Sequence, residues 1–124
     1  MTAWSPDQLS RIGRADEIQI ASRRPDGKLR PYVTIWVARL GDDLYVRSAY
    51  GPDNGWFRRA KASGLGRIRA AGVERDVAFE EPGDGVEVDL HAAYHAKYDR
   101  YGPSMVGSVV SPESAIATLR LVPR

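Results

Sequence analysis

The chain has 124 residues, 43% hydrophobic and 27% charged, which is the balance of one globular domain and excludes a disordered or fibrous chain. It contains no cysteine, so disulfides, thiolate chemistry and cysteine-ligated metals are excluded. Its longest apolar run, Val33 to Ala38, is far short of the ~20 residues of a membrane helix. The net charge of +2 is uneven: residues 23–75 carry twelve basic and five acidic side chains, +7, and the remainder carries −5. An anionic ligand is the natural partner of that basic middle. Met1 to Pro6 lacks a basic patch followed by an apolar stretch, and the expected location is the cytoplasm.

Ser5-Pro6-Asp7-Gln8 supplies an N-cap serine, a proline at the first helical position and a glutamine that closes a capping box, with Trp4 and Leu9 spaced as a hydrophobic staple. A short helix is expected from Pro6 to Gly13, within a lead of residues 1–16. Glu17 to Arg24 alternates as a half-buried strand, and Pro25-Asp26-Gly27-Lys28 is a turn. Leu29 to Leu40 reads as one long strand with large apolar groups on both faces, the pattern of a central position, and Pro31 belongs near its start. After Gly41-Asp42-Asp43 a third alternating strand runs from Leu44 to Tyr50, so the three form an antiparallel meander. Trp56 to Ser63 reads as a short basic helix capped by Asp53 or Asn54. Gly66 to Glu81 is a hairpin turning near Ala71-Gly72. Asp89 to Tyr101 has helical periodicity, with Leu90, Ala93, Tyr94, Lys97, Tyr98 and Tyr101 on one face, and Gly102-Pro103 ends it. Residues 104–114 read as a loop, and Ala115 to Val122 as a last strand. Six strands with helices inserted between meanders argue for α+β rather than a doubly wound sheet, and a six-stranded twisted sheet tends to close.

The basic residues fall into a constellation. Arg24 to Pro31 contains Lys28 and Arg30, Arg47-Ser48 ends the third strand, and Gly55-Trp56-Phe57-Arg58-Arg59 opens a helix. Arginine forks, a lysine, a hydroxyl and helix N-terminal amides are what a phosphate requires.

The order of these pieces, a basic hairpin ending Gly-Lys-x-Arg-Pro, a Gly-Asp-Asp-Leu-Tyr-Val-Arg-Ser strand, a glycine loop into Trp-Phe-Arg, a hairpin, a tyrosine-rich helix and a final Leu-Arg-Leu strand, resembles the FMN-binding split-barrel superfamily over residues 17–122. More narrowly it resembles deazaflavin-dependent nitroreductase-like proteins and an uncharacterised bacterial family related to them. The resemblance implies one domain over residues 1–124, an antiparallel six-stranded split β-barrel with about three helices, and a homodimer. It also implies FMN or a deazaflavin coenzyme as cofactor and a small-molecule substrate to be reduced. Carried over position by position, Lys28, Arg30 and Pro31 match the family's Gly-Lys-x-Arg-Pro stretch, Arg47, Ser48, Ala49 and Gly51 its strand end and glycine loop, and Trp56 with Arg59 the start of its helix. In such proteins the cofactor performs the hydride transfer, so no catalytic motif is expected.

Other constellations point elsewhere. Glu87, His91, His95 and Asp99 share a helix stripe on which two histidines could grip a divalent metal, but a solvated polar face explains them, and no metal is expected. Tyr94, Tyr98, Tyr101 and Tyr50 offer phenols for proton donation or stacking, and packing is their first use. Glu80-Glu81 reads as solvated. A nucleic-acid-binding module is suggested by the pI of about 9.1 and the interleaved Trp56-Phe57-Arg58-Arg59. No helix-turn-helix, RNP-type or zinc pattern supports it. A barrel that binds a small anion without redox chemistry is the remaining alternative.

Overall fold

The computed structural model describes residues 3–48, 51, 53–83, 85–102 and 116–124. Helix α1 (Pro6–Arg14) starts as its cap residues dictate: Gln8 N donates to Ser5 Oγ at 3.1 Å and Ser5 N donates to Gln8 Oε1 at 3.1 Å, while Trp4 and Leu9 are both buried. Strands β1 (Ile18–Ser22), β2 (Val33–Ile35), β3 (Val37–Leu40) and β4 (Asp43–Arg47) follow, then α2 (Gly55–Ser63), β5 (Leu65–Ala70), β6 (Val73–Glu80), α3 (Glu87–Tyr98), a 3-10 turn (Asp99–Tyr101) and β7 (Thr118–Pro123). Among the described residues the fold is α+β with three helices, and all strand pairs are antiparallel.

The sheet has seven strands, not six, because the expected strand Leu29–Leu40 divides at Trp36. Its halves β2 and β3 lie at opposite ends of the order β2-β1-β5-β6-β7-β4-β3. A sheet whose two edges are joined by a single residue has to be rolled up, so the barrel is nearly closed with its split at Trp36. The meander is therefore two separate pairs, β1–β2 and β3–β4. Nor is the strand central. Its two apolar faces arise because Val33, Ile35 and Val37 pack into the barrel, whereas Trp36, Ala38 and Leu40 pack outward against Leu90, Tyr94 and Tyr98 of α3.

Leu9 and Ile12 of α1 and Phe57 and Ala60 of α2 bury into the barrel core with Leu44, Val46, Ile68, Val77, Leu119 and Leu121. The β5–β6 hairpin turns through Ala71 (φ 50°) and Gly72 (φ 81°), the paired positive φ that matches strand twist. Gly66 permits close approach of β5 to β1: a Cβ there would lie 2.1 Å from the Ala21 carbonyl oxygen and 2.7 Å from the Phe79 ring. Among the described residues no helix is long and apolar enough to cross a membrane. The expected 104–114 loop lies outside them.

Candidate functional site: an arginine-lined cleft

The turn after β1 is fixed by its own backbone. Arg23 bridges Leu29, Arg24 N donates to Lys28 O at 2.8 Å, Gly27 N donates to Arg24 O at 2.9 Å, and the Asp26 carboxylate accepts from Lys28 N at 3.0 Å. On the facing side, the connection from β4 passes through Gly51, whose φ of 86° suits glycine, to Asn54, whose side-chain oxygen caps Trp56 N at 3.3 Å. Between this turn and α2 lies a cleft of about 860 Å³, lined by Arg23, Arg24, Arg30, Gly55, Arg58 and Arg59 among others, with no acidic side chain among the described residues of its wall.

The pairing of these arginines differs. Arg23 donates to Gly27 O at 2.7 Å and to Asp76 at 3.0 Å, and Asp76 also receives Arg67 at 2.8 Å. The Arg67 guanidinium, with Arg23 behind it, holds the Asp76 carboxyl below its usual range. Among the described residues Arg24, Arg30, Arg58 and Arg59 make no side-chain hydrogen bond or ion pair, and Arg30 Nε is buried without a partner. The Arg59 guanidinium folds over the first residue of α2, where a Cβ on Gly55 would lie 2.8 Å from its Nη1. Behind the cleft, Arg30 and Arg59 also border a nearly filled pocket of about 10 Å³ with Ile20, Pro31, Val33 and Trp56 in its wall. Two unpartnered guanidinium groups thus stand on a packed apolar floor.

Of the residues expected to hold a cofactor, the structure brings Arg30, Pro31, Trp56 and Arg59 together. Lys28 is exposed on the adjoining turn. Gly51 and Ser48 are buried in the β4–α2 connection, with Gly51 N donating to Ser48 O at 3.3 Å and the Ser48 hydroxyl lacking a partner among the described residues. Ala49 lies outside the described residues, as does Tyr50. Arg47 does not line the cleft. It shares with Tyr45 the face of β4 that α3 covers, where its Nε donates to Thr118 Oγ1 at 2.9 Å, its Nη2 pairs with Glu87, and its guanidinium lies 5.2 Å from the centre of the Tyr94 ring. Arg24 and Arg58 belonged to the basic constellation but not to the set carried over from the resemblance. The signal that finds them is the doublets Arg23-Arg24 and Arg58-Arg59, one on each wall.

Tyr94 and Tyr98 are fully buried, and burial pushes both phenols above their ordinary value. The Tyr98 hydroxyl accepts from Val37 N at 3.2 Å and donates to Asp16 O at 2.7 Å, and its ring stacks on Trp36 at 4.0 Å. Tyr98 therefore serves the backbone where the strand divides. Tyr101 is partly exposed. Glu87 is turned to Arg47 and His95 Nδ1 lies 2.7 Å from Asp99, so the acidic and histidine stripe is divided between two partners. No cluster of three metal-ligating side chains occurs among the described residues. Glu80 and Glu81 are exposed and pair with Arg120 and Lys61.

Residues 8–121 match a family described as an uncharacterized protein conserved in bacteria, DUF2255. The chain belongs to that family. Its fold is the split barrel, shared with solved structures of low sequence identity. An F420 reductase is 19% identical with a TM-score of 0.60, over 94% of this chain and 90% of that one. The heme storage protein HutZ from Vibrio cholerae is 11% identical with a TM-score of 0.61, over 100% and 92%. An FAD and heme binding protein from Mycobacterium smegmatis is 18% identical with a TM-score of 0.53, over 95% and 65%. Comparison with curated protein sequences gives no match.

Proposed function

We propose that this DUF2255 chain binds FMN or a deazaflavin coenzyme with its phosphate in the arginine cleft, and acts as a reductase of a small substrate. The observation that carries this reading is the Arg30–Arg59 pair, two guanidinium groups that line one cleft without a carboxylate partner among the described residues. Such forks match phosphate oxygens bidentately, and the N-terminus of α2 at Gly55 lines the same space. Pro31 and Trp56 form the apolar wall and Lys28 adds charge from the turn. Arg47, Ser48 and Gly51 belong to the strand end and connection that lead to α2. The cofactor, when bound, supplies the hydride chemistry, and the chain supplies the charge that holds and orients it. The names of the F420 reductase and of the FAD and heme binding protein agree with this reading.

The test is an absorbance and fluorescence titration of the purified protein with FMN and with the deazaflavin coenzyme. Saturable micromolar binding of one, weakened in Arg30→Ala and Arg59→Ala, is expected. Failure of both to bind the folded protein overturns the reading and leaves the anion-binding barrel without redox chemistry, which the same cationic lining favours. The resemblance further supports a homodimer; light scattering that gives the 13.7 kDa of one chain overturns it.

A further inference from the structure

We propose that His91 and His95 form a chelating site on the solvent side of α3 for a divalent ion of the late first transition row, with Asp99 positioning His95. The two histidines are four residues apart in one helix, so they lie one above the other on its surface. Both are accessible: His91 is exposed, and the His95 side chain is 41% exposed. A solvated polar face needs no contact among its members, yet these rings turn to each other, with centroids 4.7 Å apart and planes at 53°. That separation is the one a shared metal ion requires. An ion ~2.1 Å from each imidazole nitrogen stands ~3.2 Å from each ring centre, so two rings meeting at about 90° to 109° have centres ~4.5–5.2 Å apart. The observed spacing falls inside this range.

A second contact sets the donor atom. His95 Nδ1 lies 2.7 Å from Asp99 Oδ1, and a carboxylate oxygen can only accept, so Nδ1 carries a proton. In the neutral ring Nε2 is then the nitrogen with the free lone pair. A ligating histidine held through its other nitrogen by a carboxylate is the usual arrangement of a metal site, where the carboxylate fixes the ring and raises its basicity. Glu87, one turn before His91, is turned to Arg47. Among the described residues the protein therefore contributes two nitrogens, and water fills the remaining positions. Imidazole selects copper, nickel and zinc over magnesium, with copper held tightest. His91-Ala92-Ala93-Tyr94-His95 has alanine where a hydrolytic His-Glu-x-x-His helix carries its base, so the ion's role is structural. It clamps one turn of α3 from the solvent side, while Tyr98 and Lys97 bond the Val37 backbone from the inner side.

The test titrates the untagged full chain with Cu2+, Ni2+, Zn2+ and Mg2+ by calorimetry in a weakly coordinating buffer, and follows the Tm of each mixture. We expect one ion per chain, affinity falling from copper to nickel and zinc, no binding of magnesium, and a Tm that rises with occupancy. The chain has two histidines and no cysteine, so imidazole-dependent binding reports on this pair alone. His91→Gln and His95→Gln should each weaken copper binding at least tenfold, because either leaves a single imidazole. Asp99→Asn should weaken it about tenfold. Paramagnetic resonance of bound copper should show coupling to two imidazole nitrogens in the wild type and in Asp99→Asn, and to one in each histidine variant. All three side chains lie outside the apolar clusters, and metal-free melting curves show that the variants are folded. Copper binding no tighter in the wild type than in the histidine variants, or coupling to a single nitrogen in the wild type, overturns the site. Unchanged affinity in Asp99→Asn overturns the positioning role of Asp99.

Discussion

On the α3 side of the barrel the guanidinium of Arg47 is enclosed by Thr118, Glu87 and the Tyr94 ring, and its side chain has 0% exposure. On the α2 side Arg24, Arg30, Arg58 and Arg59 stand in an open cleft with no carboxylate among the described residues of its wall. Both regions spend charge, but at different points. A buried cation loses several kcal/mol of hydration, so its partners have to be in place when the chain folds. A solvated cluster retains its water, and what it costs is mutual repulsion, which salt screens and an anion removes. The comparison teaches that residue type does not reveal an arginine's role; the number of acceptors the fold brings to it does.

The largest effect expected from this contrast is on stability at Arg47. Arg47→Ala removes the fork from Thr118 and Glu87 and opens a space under Tyr94, for a loss of about 3 kcal/mol in urea unfolding, the low end for a broken buried pair because Glu87 is half exposed. If the variant unfolds at the wild-type urea midpoint, the enclosed-arginine account is wrong. Next comes Arg30→Ala, which should weaken cofactor binding by about 1.5–3 kcal/mol, the worth of charge-assisted hydrogen bonds, while changing stability by no more than about 0.5 kcal/mol. Paired unfolding and binding curves for the two variants check the contrast directly, and interchanged effects would refute it.

Local signals along the chain announced most elements. The capping box of Ser5 and Gln8, the Ala71-Gly72 turn and the Asn54 cap all act between residues a few positions apart, so the sequence displays both partners. The division at Trp36 is different in kind. Nothing within Leu29–Leu40 states that β2 pairs with β1 and β3 with β4, because those partners are distant in the sequence, and apolar groups on two faces mean equally a central strand or a strand covered by a helix. The same ambiguity governs Arg47. Alternation puts it on one face with Tyr45, but only the packing of α3 determines whether that face meets a ligand or the Tyr94 ring. Arg30 and Arg59 are legible as basic residues in a phosphate-like order; their lack of partners among the described residues emerges only from the folded arrangement.

A smaller effect tests the α3 side at its other end. There Tyr98→Phe leaves the stacking on Trp36 intact but strips Val37 N and Asp16 O of their hydroxyl partner, so a stability loss of about 1–2 kcal/mol is expected. If the loss is below about 0.3 kcal/mol, the hydroxyl is not what closes the backbone at the strand division.

The smallest effect is in pH. Lys97 Nζ donates to Val37 O at 2.8 Å and lies 5.0 Å from the centre of the Tyr98 ring. Burial lowers its ammonium from the ordinary 10.5 to about 8, with Arg100 adding to the shift and Asp16 opposing it. A base whose pKa falls on folding disfavours protonation of the folded state. Between pH 8 and 10.5 the unfolded chain therefore holds a proton that the folded chain has released, and stability contributed by this group rises with pH across that window. Below pH 8 both states are protonated and the group's penalty is constant. Tyr94 and Tyr98, both pushed up from the ordinary 10.0, keep their protons in the folded chain while the unfolded chain begins to lose them near that value, so their contribution falls with pH and runs against this trend. The difference in Tm between wild type and Lys97→Met, measured from pH 7 to 10, isolates Lys97 from other titrating groups. It should move in favour of the wild type as pH rises above 8; a difference that is flat, or that moves the other way, would show that Lys97 is solvated and that α3 is held at this end by its aromatic contacts alone.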